Sequence, residues 1–206
     1  MSLYERYVLP HVINLACGTR VVEAFRRQVV PRASGQVLEV GMGTGINLPL
    51  YNAKNVEFVW GLEPAIGMRE KARKRVQASP VDVRWLDLPG EQIPLPDNSV
   101  DTVLLTFTLC TITDWQAALA QMHRVLKPQG KLIFCEHGLA PDQPVQRWQH
   151  RLNSLWGACA GGCNLNRDTE QCLQHGGFKI TELHQQYAEA TPKFAGFVSW
   201  GEAVKQ

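Results

Sequence analysis

From about residue 35 onward the chain alternates short apolar runs with amphipathic stretches. Gln36 to Val40, Val56 to Leu62, Val81 to Leu86, Val100 to Thr106 and Lys131 to Cys135 are dominated by Val, Leu, Ile and aromatic residues. Such runs suit strands covered on both faces of a parallel sheet. Between them the period lengthens. Ala65 to Gln77 predicts one helix, and Asp114 to Leu126 a second, with Trp115, Leu119, Met122 and Leu126 on its inner face. Pro144 to Trp156 predicts a third, and a further helix opens at Asn166 or Asp168. Phe178 to Leu183 and Pro192 to Val204 read as two more strands, joined by a loop over Gln185 to Thr191. Strands alternating with helices in this way predict a Rossmann-like, doubly wound α/β domain.

A helical preface, Leu3 to Val30, precedes the sheet, with Pro10 and Gly18 dividing it and Pro31 and Gly35 closing it. Its apolar face is expected to pack on the sheet edge or to cover a ligand mouth. Helical spacing puts Tyr4, Tyr7 and His11 on one side, as acceptor-binding candidates.

The first strand runs into Gly41-Met42-Gly43-Thr44-Gly45-Ile46-Asn47. Glycines there permit unusual backbone angles and close ligand approach, and a following helix is expected to offer its free N–H groups. The spacing departs from the dinucleotide pattern G-x-G-x-x-G, because Gly45 comes early and Ile46 fills the later slot. Glu39, two residues before Gly41, would repel a pyrophosphate but suit a ligand with an ammonium and a sulfonium. S-adenosyl-L-methionine (SAM) has both. Glu63, 22 residues after Gly41, stands where an acid at the second strand's tip can accept two ribose hydroxyls.

The string E-V-G-M-G-T-G-I-N resembles motif I of the class I SAM-dependent methyltransferases, and the resemblance runs from about Gly35 to His137. It implies a seven-stranded sheet in the order 3-2-1-4-5-7-6 with strand 7 antiparallel, on one domain spanning 1–206. Within that domain, 1–34 would form the helical cover, 35–137 the SAM-binding core, and 138–206 the acceptor-side helices and last strands. The cofactor would be SAM, with S-adenosyl-L-homocysteine as product. By match, Glu39, Gly41, Met42, Gly43, Gly45, Asn47, Glu63, Pro64, Met68, Gly90, Glu91 and Thr106 are the cofactor-binding candidates, with Asp87 competing for the place of Glu91. The strings L-C-T-I at 109–112, C-E-H-G at 135–138 and G-G-C-N-L-N-R at 161–167 narrow the resemblance, as does the pattern from Phe197 to Lys205. They resemble the alkyl thiol S-methyltransferases and their bacterial relatives, which implies a small, apolar thiol as acceptor. The mammalian members carry an N-terminal membrane anchor, which this sequence is expected to lack.

His137 is the candidate base or orienting group, because imidazole titrates near neutral pH. Its alternative is a structural hydrogen bond to the segment around Asn164. Glu136 would orient His137, bind a cationic acceptor or pair with an arginine. Phe107, Leu109, Trp156, Asn164 and Arg167 complete the acceptor-side candidates, with Arg167 equally suited to pairing with Glu136 or Asp168. Cys159 and Cys163 raise the question of a metal, but His137, His150 and His175 stand at no recognisable zinc spacing. No metal is expected.

Composition changes little of this. A net charge of +2 over 206 residues implies no nucleic acid, and six scattered cysteines suit a reducing cytoplasm. Neither a spanning segment nor a signal peptide is apparent. Membrane-surface contact is possible but not favoured, and a monomer or homodimer is expected. C-, O- or N-methylation of a quinone, phenol or lipid amine remains open, as do a SAM-binding regulator without turnover and a dehydrogenase.

Overall fold

The computed structural model describes residues 4–206. A seven-stranded sheet has the order β3-β2-β1-β4-β5-β7-β6. The strands are β1 (Gly35–Val40), β2 (Val56–Leu62), β3 (Asp82–Leu86), β4 (Val100–Thr106), β5 (Leu126–His137), β6 (Phe178–Tyr187) and β7 (Phe197–Lys205). Strands β1 to β5 pair in parallel, and β7 runs antiparallel to both β5 and β6. The expected fold and strand order are those observed.

Period-two alternation distributes the strand residues between two cores. Leu38, Val40, Val103, Leu105, Leu132 and Phe134 face one core, where α4 (Trp115–Val125) and α6 (Thr169–His175) supply Leu119, Met122 and Leu173. Val37, Val59, Leu104 and Ile133 face the other, against Phe25 and Val29 of α2 (Arg20–Val29). Both faces are therefore apolar, which explains why the central strands read as continuous hydrophobic runs. The remaining helices are α1 (Leu9–Cys17), α3 (Ile66–Gln77), α5 (Gln143–Cys159) and the short α7 (Lys193–Gly196).

Four expectations need correction. No α-helix follows the glycine turn; the 15 residues between β1 and β2 hold only a 3-10 turn, Leu48–Leu50. Pro49 sits in that turn, and Asn52 and Asn55 close the next one by backbone hydrogen bonds. The layer is filled instead by α2, whose Phe25 and Val29 pack with Leu48 and Tyr51. The N-terminal preface is thus partly a core element. Second, β6 continues through Tyr187, because Gln185, Gln186 and Tyr187 pair with Ser199, Val198 and Phe197. Third, the stretch before Phe197 forms α7 rather than strand. Strand β5 also begins early, at Leu126, with an irregularity that takes up Lys127 to Gly130: Val100 pairs with Leu126 and Thr102 with Lys131.

Candidate functional site

The glycine turn lies at the carboxyl end of β1, where open α/β sheets place their ligands. Gly41, Gly43 and Gly45 all have positive φ, at 69°, 57° and 73°. A Cβ on Gly41 would stand 2.2 Å from Thr108, whereas one on Gly43 would meet nothing nearer than a backbone oxygen at 3.8 Å. Gly41 is needed for packing, and Gly43 leaves room for something to approach.

Behind the turn is a buried polar network. Tyr51 donates its hydroxyl to Glu39 Oε2 at 2.7 Å, and Asn47 Nδ2 donates to Glu39 Oε1 at 2.8 Å and to Thr106 Oγ1 at 2.9 Å. From α2, Arg26 Nη1 donates to Asn47 Oδ1 and Thr106 Oγ1, both at 2.8 Å, and its guanidinium lies 4.9 Å from the Phe107 ring centre. Burial pushes the Glu39 carboxyl up, outweighing the Tyr51 and Asn47 hydrogen bonds and the Arg26 charge. Arg26 Nε is buried without a hydrogen-bond partner, and the residue lines the same small cavity as Glu39, Gly43 and Asn47. Sequence reasoning missed Arg26. Its signal was a charge on the apolar face of α2, beside Phe25 and one turn before Val29.

The cavity measures only about 60 Å³, since Ile13 and Cys17 of α1 roof it. A clasp holds that roof: Thr44 Oγ1 and Arg75 Nη1 both reach Asn14 Oδ1, at 3.0 and 2.9 Å.

Glu63 ends β2 and is buried, accepting from Gly43 N and Ala65 N, each at 2.9 Å. Burial outweighs these bonds and raises its pKa. Pro64 beside it is exposed, and Met68 is buried in the first turn of α3. A Cβ on Gly90 would meet Ala118, Ile112 and Val40 at 3.4–3.5 Å, ordinary van der Waals distance, and Glu91 accepts from the backbone N–H of Asp114 at 3.3 Å. Asp87 is exposed and lies 3.5 Å from Arg69.

On the acceptor side several candidates are placed differently from expectation. Leu109 is core, 1% exposed, and packs with Leu105, Leu119 and Met122 rather than lining the cavity under the glycine turn. Arg167 pairs with neither Glu136 nor Asp168; its Nη1 donates to the carbonyls of Leu109 and Ile112, both at 2.6 Å, and so holds the loop after β4. Asn164 is equally committed, its N and Nδ2 both reaching Cys110 O at 2.9 Å. Tyr4 donates to Cys159 O at 2.7 Å while His11 Nδ1 contacts Lys71 at 2.9 Å, so these two side chains reach to different elements. Tyr7 is exposed. Trp156 packs edge-on to Phe194, with its buried Nε1 lacking a hydrogen-bond partner. Of the acceptor candidates, Phe107 alone lines the cavity under the glycine turn. It carries a positive φ of 52°, a strained conformation for a bulky residue.

Glu136 is fully buried, and both of its oxygens accept from Thr108 N, at 2.8 and 3.0 Å. The N–H groups of Leu109 and Cys110 also point to it, and burial outweighs them all to push its pKa up to about 7. It is the cap of the loop after β4. His137 follows it and meets Cys163 Sγ through Nε2 at 2.9 Å, which is the hydrogen bond to the segment around Asn164 raised as an alternative to catalysis. Burial pulls the imidazole down, but the Cys163 bond and the Glu136 charge outweigh it and leave the pKa raised. Cys163 does not pack with Cys159, which is exposed; its thiol donates instead to Cys110 Sγ at 3.3 Å.

Residues 38–134 match a family profile described as a methyltransferase domain. Thiol S-methyltransferase TMT1B of Homo sapiens is 31% identical over 187 residues, covering 82% of this chain and 73% of that protein. The chain belongs to the class I SAM-dependent methyltransferases. Phosphatidylethanolamine N-methyltransferase of Cereibacter sphaeroides is 30% identical over 125 residues, covering 57% of this methyltransferase and 60% of that one. Among solved structures, a SAM-dependent methyltransferase of Thermotoga maritima, described as a possible histamine N-methyltransferase, aligns over 98% of each chain. Its TM-score is 0.67 at 24% identity, a likeness of fold. The cofactor of this methyltransferase is SAM, which supplies an electrophilic methyl group on a sulfonium. No helix among the described residues is long and apolar enough to cross a membrane.

Proposed function

We propose that this methyltransferase acts on a small, apolar thiol, producing a methyl thioether. One observation carries the reading. The 187-residue similarity to the human thiol S-methyltransferase is far longer than residues 38–134, so it includes acceptor-side segments as well as the common cofactor core.

The chain's residues fit the cofactor in three respects. Gly43 leaves open space at the turn, the oxygens of Glu63 stand beside it for ribose hydroxyls, and Arg26 Nε is a buried donor in need of an acceptor. We assign Arg26 to the carboxylate of the methionyl group, while Glu39, shared by Tyr51 and Asn47, balances positive charge. Phe107, lining the cavity beside the glycine turn, would supply an apolar wall to the bound cofactor. Transfer needs little covalent help from the protein, since alignment of a good nucleophile with a good leaving group accounts for most of the rate. A thiol with a pKa of about 8.5 needs only modest assistance to lose its proton.

The test is transfer of a labelled methyl group from SAM to a panel of apolar thiols, hydrogen sulfide, phenols, quinols and amines, with Gly43→Val as the blank. Label on thiols is expected. Label confined to an amine, phenol or quinol would discard the thiol and keep the cofactor assignment, and SAM binding with no label would favour a regulator.

A further inference from the structure

Cys110, His137 and Cys163 come from three separate elements: the loop after β4, the end of β5 and the turn after α5. Their sulfur and nitrogen atoms all lie within 4.8 Å of one another. We propose that they form a binding site for one soft divalent cation, for which zinc is the natural probe, with a fourth position left for the acceptor sulfur.

The donor set is chemically apt. Two thiolates and an imidazole suit zinc, and three protein ligands with one open position are the arrangement of catalytic rather than structural zinc. Zinc bond lengths of about 2.3 Å to sulfur and 2.0–2.1 Å to nitrogen require ligand atoms about 3.5–3.8 Å apart in a tetrahedron. The present separations of 2.9 Å (His137 to Cys163) and 3.3 Å (Cys163 to Cys110) would widen by about half an ångström, and Cys110 to His137 lies within 4.8 Å, so small side-chain shifts bring the three to those bond lengths.

The backbone around all three ligands is pinned. Glu136 gathers the N–H groups of the loop that carries Cys110. Asn164, directly after Cys163, donates two hydrogen bonds from its N and Nδ2 to Cys110 O. Gly161 and Gly162, at φ of 63° and 87°, make the turn that brings Cys163 inward. As a purely hydrogen-bonded cluster the same groups are poorly served, because thiols are weak donors and acceptors.

The site also flanks the cofactor cavity. Phe107 and Thr108, two residues before Cys110, line that cavity, and Cys17 in its roof lies within electrostatic reach of Cys163. The use of the fourth position rests on the thiol reading above; the metal site itself does not. Metal binding displaces the protons of Cys110 and Cys163 to solvent. A neutral acceptor thiol entering the fourth position likewise loses its proton to solvent. Its sulfur then gives an electron pair to the methyl carbon, and the carbon–sulfonium bond breaks with its pair remaining on the departing thioether. The methylated product, now a neutral thioether and a weak ligand, leaves the metal.

The full chain, loaded with zinc and exchanged against a mild chelator, is assayed for bound metal and then examined with cobalt in zinc's place. One zinc per chain is expected, with tetrahedral visible bands and thiolate charge transfer in the cobalt form. Cys163→Ser and His137→Gln should each bring metal to background while keeping SAM affinity and the melting temperature of the metal-free wild type. Having two variants on different elements guards against one of them misfolding. An apolar thiol should shift the cobalt bands. Background metal in the wild type, or unchanged metal in both variants, overturns the site. Bands indifferent to thiol, but altered by Cys17→Ala, overturn the open position by making Cys17 the fourth ligand. Thiol methylation at full rate in metal-free protein overturns the metal's role while leaving the thiol reading intact. Metal bound and thiol-responsive, with methyl transfer only to another acceptor, supports the site and removes the thiol from the function.

Discussion

Arg26 donates to the amide oxygen of Asn47 at 2.8 Å, while the nitrogen of the same amide donates to Glu39. One asparagine therefore couples a cation from the N-terminal helix α2 to the acid inside β1. The unused Nε of Arg26 leaves that cation a free donor for the carboxylate role proposed above. Arg26→Ala is expected to weaken SAM binding by about 2 kcal/mol or more, the scale for truncating one partner of a buried charge pair. Calorimetry with SAM and with its decarboxylated analogue separates the two roles. The analogue should lose little affinity on substitution; equal losses for both would show that Arg26 only supports the fold.

Gly43 is open on its Cβ side, so in the proposed site a side chain there would meet the ligand rather than the protein. Gly43→Val should raise the SAM Kd at least about tenfold, equivalent to 1.4 kcal/mol. The positive φ of 57° adds some loss of stability. Titration of the variant with SAM checks this, and unchanged affinity would remove the turn from the cofactor site.

In the proposed site the roof over the cavity opens for cofactor entry, since about 60 Å³ is well below the roughly 300 Å³ at which ligand pockets begin. Asn14 is the clasp, shared by Thr44 and Arg75. Asn14→Ala is expected to speed SAM association and dissociation together by a few-fold, read by stopped-flow fluorescence. Association unaffected by the change would exclude the clasp from gating.

Acid stability is governed partly by Glu182, whose hydrogen bonds from Arg32 and His184 hold its pKa down at about 2. An acid with a lowered folded pKa contributes stability above its unfolded value, near 4.5, and loses it as pH falls toward 2. Glu182→Gln should therefore flatten the fall in melting temperature between these limits and lower it slightly at pH 7. A profile parallel to wild type would show that this pair, being partly exposed, is screened by solvent.

Much of the architecture was legible because apolar runs map directly onto sheet positions. Val56 to Leu62 and Val100 to Thr106 coincide with β2 and β4. The missing helix after β1 shows the limit. A glycine turn predicts a helix by analogy with other α/β folds, but 15 residues containing Pro49 and three asparagines leave little room for one. Arg26 was hidden because a helix face is judged by its majority of apolar residues. Cys110 and Cys163 were hidden for another reason. They are 53 residues apart, and the sheet topology, not local spacing, brings them to one edge. Local arithmetic compared Cys159 with Cys163, which share a turn but not a contact. Arg167 shows the converse: its charge suggested an ionic partner, and backbone carbonyls satisfy it instead.

Because α2 occupies the layer that a helix after β1 would otherwise fill, Phe25 packs edge-on against Trp200 at 5.1 Å between ring centres. Helix α2 and strand β7 are thus interlocked across 175 positions. On a ribosome making the protein from its N-terminus, α2 is released long before β7 exists, and its apolar side must wait for nearly the whole chain. Folding around α2 can close only after β7 has been made, and loss of β7 would reach straight back to the helix that carries Arg26.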